Sequence, residues 1–215
     1  FGGMNSSTQS AGWRSSAVLV SLGFALSGML TGGLMQADVV AYEETYGLNH
    51  EQVAMWLSFF SVLTAVGGTL AGILSDKFSV SRVYRTCLLL SGIGLVAFSR
   101  VNIASTLAGY VLAALGVGGL VVGNILVSND QTGGPNRSLN FLHASHGFAR
   151  FIGVFLSIFA IGILWQISYL IVGVIFVILA AMYLSTPGPS AAAAQPETPA
   201  SGLPGVNLTA VCACF

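Results

Sequence analysis

The sequence has very little charge. Only 7% of its 215 residues are charged, and seven lysines and arginines balance seven aspartates and glutamates. A soluble domain usually carries about 25% charged residues. Because 54% of the residues are hydrophobic and the mean hydropathy is +0.84, the composition excludes a soluble globule and predicts an integral membrane protein. The net charge is zero and no basic run is present, so we expect no nucleic-acid partner.

Cysteine is also scarce. The three cysteines, Cys87, Cys212 and Cys214, are too few for a disulfide scaffold and lack the spacing of a zinc site. Cys87 lies in an apolar run, and we interpret it as a small core residue. We therefore expect neither a metal nor a cofactor.

Long apolar runs fill most of the chain. A membrane-spanning helix needs about 20 mainly apolar residues, and this length predicts six spans with short connections. The predicted spans are Ser16–Ala37, Val53–Ser75, Val83–Phe98, Ile103–Ser128, Leu139–Ile163 and Ile167–Leu184. The fold class is therefore an all-α membrane protein, a bundle of six transmembrane helices.

Charge in the loops predicts the orientation and the domains. Arg14, Lys77, Arg82, Arg85 and Arg137 fall on one side of the six spans, whereas Arg100 falls on the other. Basic residues favour the cytoplasmic side, so we expect both termini there, in a plasma or bacterial inner membrane. Residues 1–15 form a cytoplasmic segment, 16–185 the bundle, and 186–215 a disordered Pro/Ala-rich tail or the start of a central cytoplasmic loop.

Glycine is abundant and much of it lies inside the spans. Three pairs are spaced four residues apart: Gly28 and Gly32, Gly68 and Gly72, and Gly119 and Gly123. Such spacing presents a flat helix face, which allows close helix packing in a membrane. We interpret these pairs as packing positions.

The fifth span begins with an unusual polar stretch, "LNFLHASHGFAR". At 100° per residue, its polar positions and one glycine share an arc of about 120°. The members of this polar face are Asn140, His143, His146, Gly147 and Arg150. Polar groups at this depth usually face a cavity or a partner, so we expect the face to point inward and to bind a small-molecule solute.

Several roles remain open for these residues. His143 either lines the solute pathway or bonds a neighbouring helix, and His146 either packs or meets interfacial water. Arg150 lies near the middle of the membrane, where its guanidinium suits an anion or sugar hydroxyls. The alternative is a structural ion pair with Asp38 or Asp130.

Two further polar positions are candidates for the solute site. Gln36 and Asp38 end the first predicted span, where Asp38 is interfacial or belongs to the pathway. Asn124 lies within the fourth span and faces either the pathway or a neighbouring helix. Proton coupling through His143 is an additional alternative.

The loop after the second span carries a spaced motif, "GILSDKFSVSR". It resembles the signature loop of the major facilitator superfamily, Gly-x-x-x-Asp-Arg/Lys-x-Gly-x-Arg/Lys-Arg/Lys, at Gly72, Asp76, Lys77 and Arg82. Ser79 replaces the second glycine. The resemblance implies a conformational latch formed by these residues, and Gly72 would permit close packing at the helix end. From the residues alone, the loop is an ordinary positively charged cytoplasmic loop.

A second resemblance concerns the fourth and fifth spans. They look like those of the fucose-permease-like branch, which transports sugars. The matching residues are Gly116, Gly118, Asn124, Leu139, Asn140, Leu142, His143, Gly147 and Gly153. Arg150 stands where that branch is usually small or apolar, and Val154 stands where proline is frequent.

These features predict a transporter working by alternating access rather than an enzyme. The six spans correspond to the amino-terminal half of a superfamily member, with the solute bound between two halves. The partners would be the lipid bilayer and a second six-helix half, from the same longer chain or a second copy. A self-contained homodimer is the alternative. An intramembrane hydrolase is another, although no nucleophile motif supports it.

Overall fold

The computed structural model describes residues 18–100, 102–128, 135–160 and 165–185. Within these ranges the chain forms helices and short connections without a strand. Six of the helices are long and apolar enough to cross a membrane. The predicted fold class is therefore confirmed, and the six predicted spans each correspond to one helix.

The six helices are labelled α1 to α6 in chain order. α1 covers 18–46 and is interrupted at Asp38; α2 is His50–Lys77; α3 is Val80–Phe98; α4 covers 103–128; α5 is Pro135–Ala160; and α6 is Trp165–Ser185. Two segments depart from α-helical geometry: a π-helical turn at Met29–Leu34 in α1 and a 3₁₀ turn at Leu120–Val122 in α4.

The first predicted boundary is wrong, because α1 does not end at Ala37. The backbone bends at Asp38 and then forms the helical segment Val39–Tyr46. Gly47, which has a left-handed φ of 64°, ends it, as glycine commonly does at helix ends. Asp38 therefore lies about two turns inside the end of α1 rather than at it.

Capping residues set the start of two other helices. The Asn49 side chain accepts a hydrogen bond from the Gln52 backbone N–H at 2.8 Å, and the Gln52 side chain accepts one from the Asn49 N–H at 2.9 Å. This reciprocal pair fixes the start of α2 at His50, ahead of the predicted Val53. The Asn102 side chain caps α4 by accepting from the Ala104 N–H. A hydropathy window does not detect such caps, so the predicted boundary missed them.

The helices pack in two groups. α3 packs most extensively against α4 and α6, and α2 packs on α4, whereas α1 packs on α5. Glycine makes the close approaches in both groups: Gly94 lies against Gly109 and Ala113, and Gly33 lies against Gly153. Contacts of this kind hold helices together in lipid, where little hydrophobic driving force acts between them.

The predicted glycine pairs behave differently from one another. Added Cβ atoms on Gly28 and Gly32 would collide with α5, and those on Gly119 and Gly123 would meet Cys87 and Tyr84. Gly68 lies near the Gly118 carbonyl. These positions confirm the packing interpretation, and buried Cys87 confirms its core role. The expectation of close packing at Gly72 is wrong. An added Cβ there would meet nothing within 4 Å, so no other helix packs against Gly72 among the described residues.

An aromatic cluster fills the end of the bundle where α1 meets α2. Tyr42 of α1 contacts Trp56, Phe98 and Trp165 at ring-centroid distances of 5.2 to 6.3 Å. The Trp165 indole also donates a hydrogen bond to the Thr45 hydroxyl at 3.0 Å. These contacts join α1, α2, α3 and α6 at one end, and they hold the second half of α1 in place beyond Asp38.

Candidate solute site on helix α5

The structure places the polar face of α5 on the surface of the bundle. Asn140, His143, Gly147 and Arg150 are exposed, whereas Leu142, Gly153 and Ser157 are buried. The expectation that the face points inward is therefore wrong for the six helices taken alone. The face runs beside the line where α5 packs on α1, and the described part of the bundle does not enclose it.

The Arg150 side chain of α5 lies against Gly32 of α1. A Cβ added to Gly32 would coincide with the Arg150 guanidinium, with Nε as the nearest atom and Cζ and Nη2 at 2.6 and 2.7 Å. The guanidinium therefore occupies the space that a side chain on α1 would fill. Gly32 provides a slot for Arg150 on the surface of α1.

Arg150 forms no ion pair with any residue that the structure describes; the salt bridge found there joins His50 and Glu43. The predicted pair with Asp38 is not formed, because Asp38 Oδ1 instead accepts a hydrogen bond from the Ser157 hydroxyl. Asp130, the other predicted partner, lies outside the described residues. Arg150 thus presents a permanent charge that no described residue pairs.

The two histidines of the face have different roles. The Nδ1 atom of His146 lies 3.0 Å from the Phe24 carbonyl oxygen and 3.4 Å from the Ser27 hydroxyl. A proton on Nδ1 is needed to donate to the carbonyl, so this hydrogen bond fixes the tautomer. His146 therefore packs against α1, which was one of its two predicted roles. It fastens α5 to α1.

His143 remains open to the surroundings. It is exposed, and its ring meets the edge of Phe24 at a centroid distance of 5.7 Å. No hydrogen bond from His143 to another helix occurs among the described residues, and pathway lining stays a prediction. Asn140 is exposed one turn away, toward the start of α5.

Asp38 is a functional candidate whose burial the sequence did not reveal. It is only 3% exposed, so it is not the interfacial residue we considered. Ser157 donates to its Oδ1, while Oδ2 is buried without a hydrogen-bond partner among the described residues. One turn further along α1, the Tyr42 hydroxyl forms a hydrogen bond with the Tyr169 hydroxyl of α6. Asp38 thus connects α1 to α5, and Tyr42 connects α1 to α6.

The remaining predicted solute residues are Asn124 and Gln36. Asn124 follows the 3₁₀ turn of α4; its Oδ1 is buried and has no hydrogen-bond partner. The last segment of α4 packs against α5, so Asn124 lies on the same side of the bundle. Gln36 is exposed on α1. No hydrogen bond joins either residue to the polar face within the described ranges.

The proposed latch residues are not joined in this structure. Asp76 and Lys77 are exposed at the end of α2, and Arg82 is exposed near the start of α3. Among the described residues no ion pair links Asp76 to Arg82. Lys77 occupies the last turn of α2, where a positive charge is favourable.

Among the described residues, the polar face carries no group of metal-binding side chains, and a cavity lies elsewhere in the bundle. The described ranges contain no group of three His, Cys, Asp or Glu residues suited to a metal. A cavity of about 360 Å³ lies instead at the end where α1 meets α2, lined by Tyr46, Leu48, Gln52, Trp56, Ile103, Thr106 and Leu107. None of these residues is a predicted solute residue.

Comparison with known proteins gave one match. The sequence model of the Major Facilitator Superfamily matches residues 15–211. No curated protein and no solved structure matched. The match covers all six helices, and it agrees with the loop motif after α2 and with the all-helical bundle. The chain belongs to the major facilitator superfamily, a family of multi-pass membrane proteins that transport small solutes.

Proposed function

We propose that this chain is the amino-terminal half of a transporter that works by alternating access, and that the polar face of α5 contributes to its solute site. Arg150 is the observation that carries this proposal. It is exposed and has no ion-pair partner among the described residues. It lies about 16 Å along the helix from Leu139, at the 1.5 Å rise of an α-helix. An uncompensated charge at such a depth costs a few kcal/mol in lipid, so Arg150 needs a polar environment to face.

A second six-helix half would supply that environment. α2 and α5 are the least buried of the six spans, at 17% and 22%, whereas the others range from 39% to 61%. Exposed apolar residues on α2 include Met55, Phe59 and Val62. Both helices therefore have surface left to pack. A second half, from the same longer chain or from a second copy, would cover this surface and enclose a pathway beside Arg150.

Within this proposal the other residues take defined roles. His143 and Asn140 line the pathway beside Arg150, with Asn124 and Gln36 at its margins. Gly72, Asp76, Lys77 and Arg82 form a cytoplasmic latch that is open in this structure and closed in the opposite state. Both termini are cytoplasmic, because the basic loops are on that side.

Two solute classes are supported, each by a different feature of the chain. The resemblance of α4 and α5 to the fucose-permease-like branch supports a sugar, and the arginine at position 150 supports an organic anion. Both classes offer oxygen acceptors to a guanidinium. The experiment below therefore screens both.

Removal of the Arg150 side chain tests the proposal. The full chain, purified in lipid nanodiscs, is screened with sugars and carboxylates for compounds that raise its thermal midpoint. Arg150→Ala should abolish that stabilisation while leaving the ligand-free midpoint close to wild type. Arg100→Ala, which removes an exposed arginine at the end of α3, is the matched control and should respond normally. Unchanged stabilisation of Arg150→Ala would return Arg150 to a structural role.

A further inference from the structure

We propose that the solute carries a single carboxylate bound by Arg150, and that Gly32 of α1 is the positioning residue that aims the guanidinium at it. The inference rests on the proposed function, because it concerns the same site. Beyond the proposed function, it specifies the charge of the solute and the residue that directs the Arg150 guanidinium.

Charge balance favours a monoanion. Among the residues that the structure describes, Arg150 is the arginine or lysine that lies deepest within a span; Lys77, Arg82, Arg85 and Arg100 lie near helix ends. No described acid pairs with it: Asp38 is turned to Ser157, and the Glu43 carboxylate pairs with His50. One permanent charge is neutralised by one carboxylate. A neutral sugar would leave it unbalanced.

A phosphate would overcompensate. A phosphomonoester carries a charge of about −1.5 to −2 near neutral pH. Near Arg150, the described part of the face holds no second lysine or arginine. A guanidinium binds a carboxylate through two parallel hydrogen bonds, which matches the single charge available.

The geometry depends on the π-helical turn of α1. Its members include Gly32 and Gly33, and this wider turn presents both residues toward α5. Gly33 makes the backbone contact, because an added Cβ there would meet Gly153 and the Arg150 carbonyl. Gly32 instead leaves room for the Arg150 side chain. The two glycines thus have different roles: Gly33 sets the spacing between α1 and α5, and Gly32 sets the direction of the Arg150 side chain.

Gly147 provides a matched control for this role. It lies on the same polar face of α5, one turn before Arg150, and an added Cβ would meet nothing within 4 Å. Gly147→Ala therefore adds the same methyl group near the site without touching Arg150. Gly33→Ala measures the cost of pushing the two helix backbones apart, since its methyl group would meet Gly153 and the Arg150 carbonyl. It should lower the thermal midpoint.

The test uses pairs of compounds that differ in charge: galacturonate and galactose, lactate and lactamide, and benzoate and benzamide. Galactose 6-phosphate supplies the dianion. Binding to the full chain in nanodiscs is measured from concentration-dependent thermal shifts. We expect at least one acid to bind and its neutral partner to bind at least about tenfold more weakly. Arg150→Gln should weaken the acid about tenfold to a hundredfold.

Gly32→Ala should weaken the same acid about tenfold. Gly147→Ala, which adds a methyl group to the polar face without touching Arg150, should weaken it less. The deciding readout is the double variant. If Gly32 acts through Arg150, adding Gly32→Ala to Arg150→Gln should cause no further loss of affinity. An additional full loss in the double variant would overturn the positioning role, because it would show an effect independent of the guanidinium.

The remaining outcomes are distinguishable. Equal binding of acid and neutral partner, with both weakened by Arg150→Gln, would overturn the carboxylate inference and leave the proposed function standing. Preference for galactose 6-phosphate would overturn the monoanion assignment in the same way. A lack of response to every compound, charged or neutral, would count against the proposed function as well.

Discussion

Glycines bring the helix backbones together at two contacts in the bundle, α3–α4 and α1–α5, but the two contacts differ in their polar side chains. Where α3 meets α4, Gly94, Gly109 and Gly116 bring the backbones together, and the polar group involved is the Ser91 hydroxyl, which bonds within its own helix. Where α1 meets α5, Gly33 and Gly153 also bring backbones together. There, however, polar and charged side chains cross between the helices.

The polar groups of the second contact lie along its whole length. His146 bonds the Phe24 carbonyl near one end, Arg150 lies over Gly32, and Ser157 bonds Asp38 near the other end. The comparison teaches that close packing alone does not mark function. At the α1–α5 contact, close packing coincides with polar groups that lack a partner among the described residues: Asp38 Oδ2 has no hydrogen bond and the Arg150 guanidinium has no ion pair. We propose the solute site there for this reason.

The largest expected effect is at a further close contact, between α2 and α4. Gly118→Val should prevent folding, because even a Cβ at this position of α4 would collide with the backbone of Thr64 in α2. Overpacking against a backbone that cannot move aside costs about 3 kcal/mol or more. The measurement is the yield of monodisperse protein and its thermal midpoint.

Gly72→Val is the matched control, since Gly72 is also a glycine of a predicted pair but faces open space. It should leave the yield and the midpoint near wild type. If both variants fold equally well, the described contact between α2 and α4 is incorrect.

A smaller effect is expected at the polar end of the α1–α5 contact. Asp38→Leu removes the acceptor of the Ser157 hydroxyl and leaves that buried group unsatisfied, at a cost of about 1–3 kcal/mol. Asp38→Asn keeps a carbonyl oxygen for Ser157 and should cost less. The free energy of unfolding in mild denaturing detergent ranks the two variants. A more stable Asp38→Leu protein would show that the carboxyl group does not hold α1 to α5.

The sequence predicts the fold well and the site only in part. The six spans were predictable because lipid demands long apolar helices, and the period of α5 was sufficient to group Asn140, His143 and Arg150 on one face. The capping box of α2 and the continuation of α1 beyond Asp38 were missed, because hydropathy does not report hydrogen bonds of the backbone. The boundaries therefore moved while the number of spans did not.

The sequence did not predict which helix each polar residue faces. His146 and His143 are three residues apart and look alike in sequence, yet the first bonds α1 and the second is exposed. The burial of Asp38 depends on Ser157, which is 119 positions away, and a single sequence carries no signal for that pairing. A helical projection could have placed Ser157 on the same stripe as His146 and Gly153, but not opposite Asp38.

The smallest expected effect separates the two histidines. His146→Phe keeps a ring beside Phe24 but removes the hydrogen bond to its carbonyl oxygen, so we expect a loss of about 1 kcal/mol in stability, the usual size of a helix-to-helix hydrogen bond in a membrane. His143→Phe changes an exposed ring and should leave the thermal midpoint unchanged. The same compounds that stabilise the wild-type protein then report on the site. His143→Phe should weaken their binding more than His146→Phe does, whereas the reverse order would mean that the pathway runs along the His146 side of α5 and that the α1–α5 contact opens during transport.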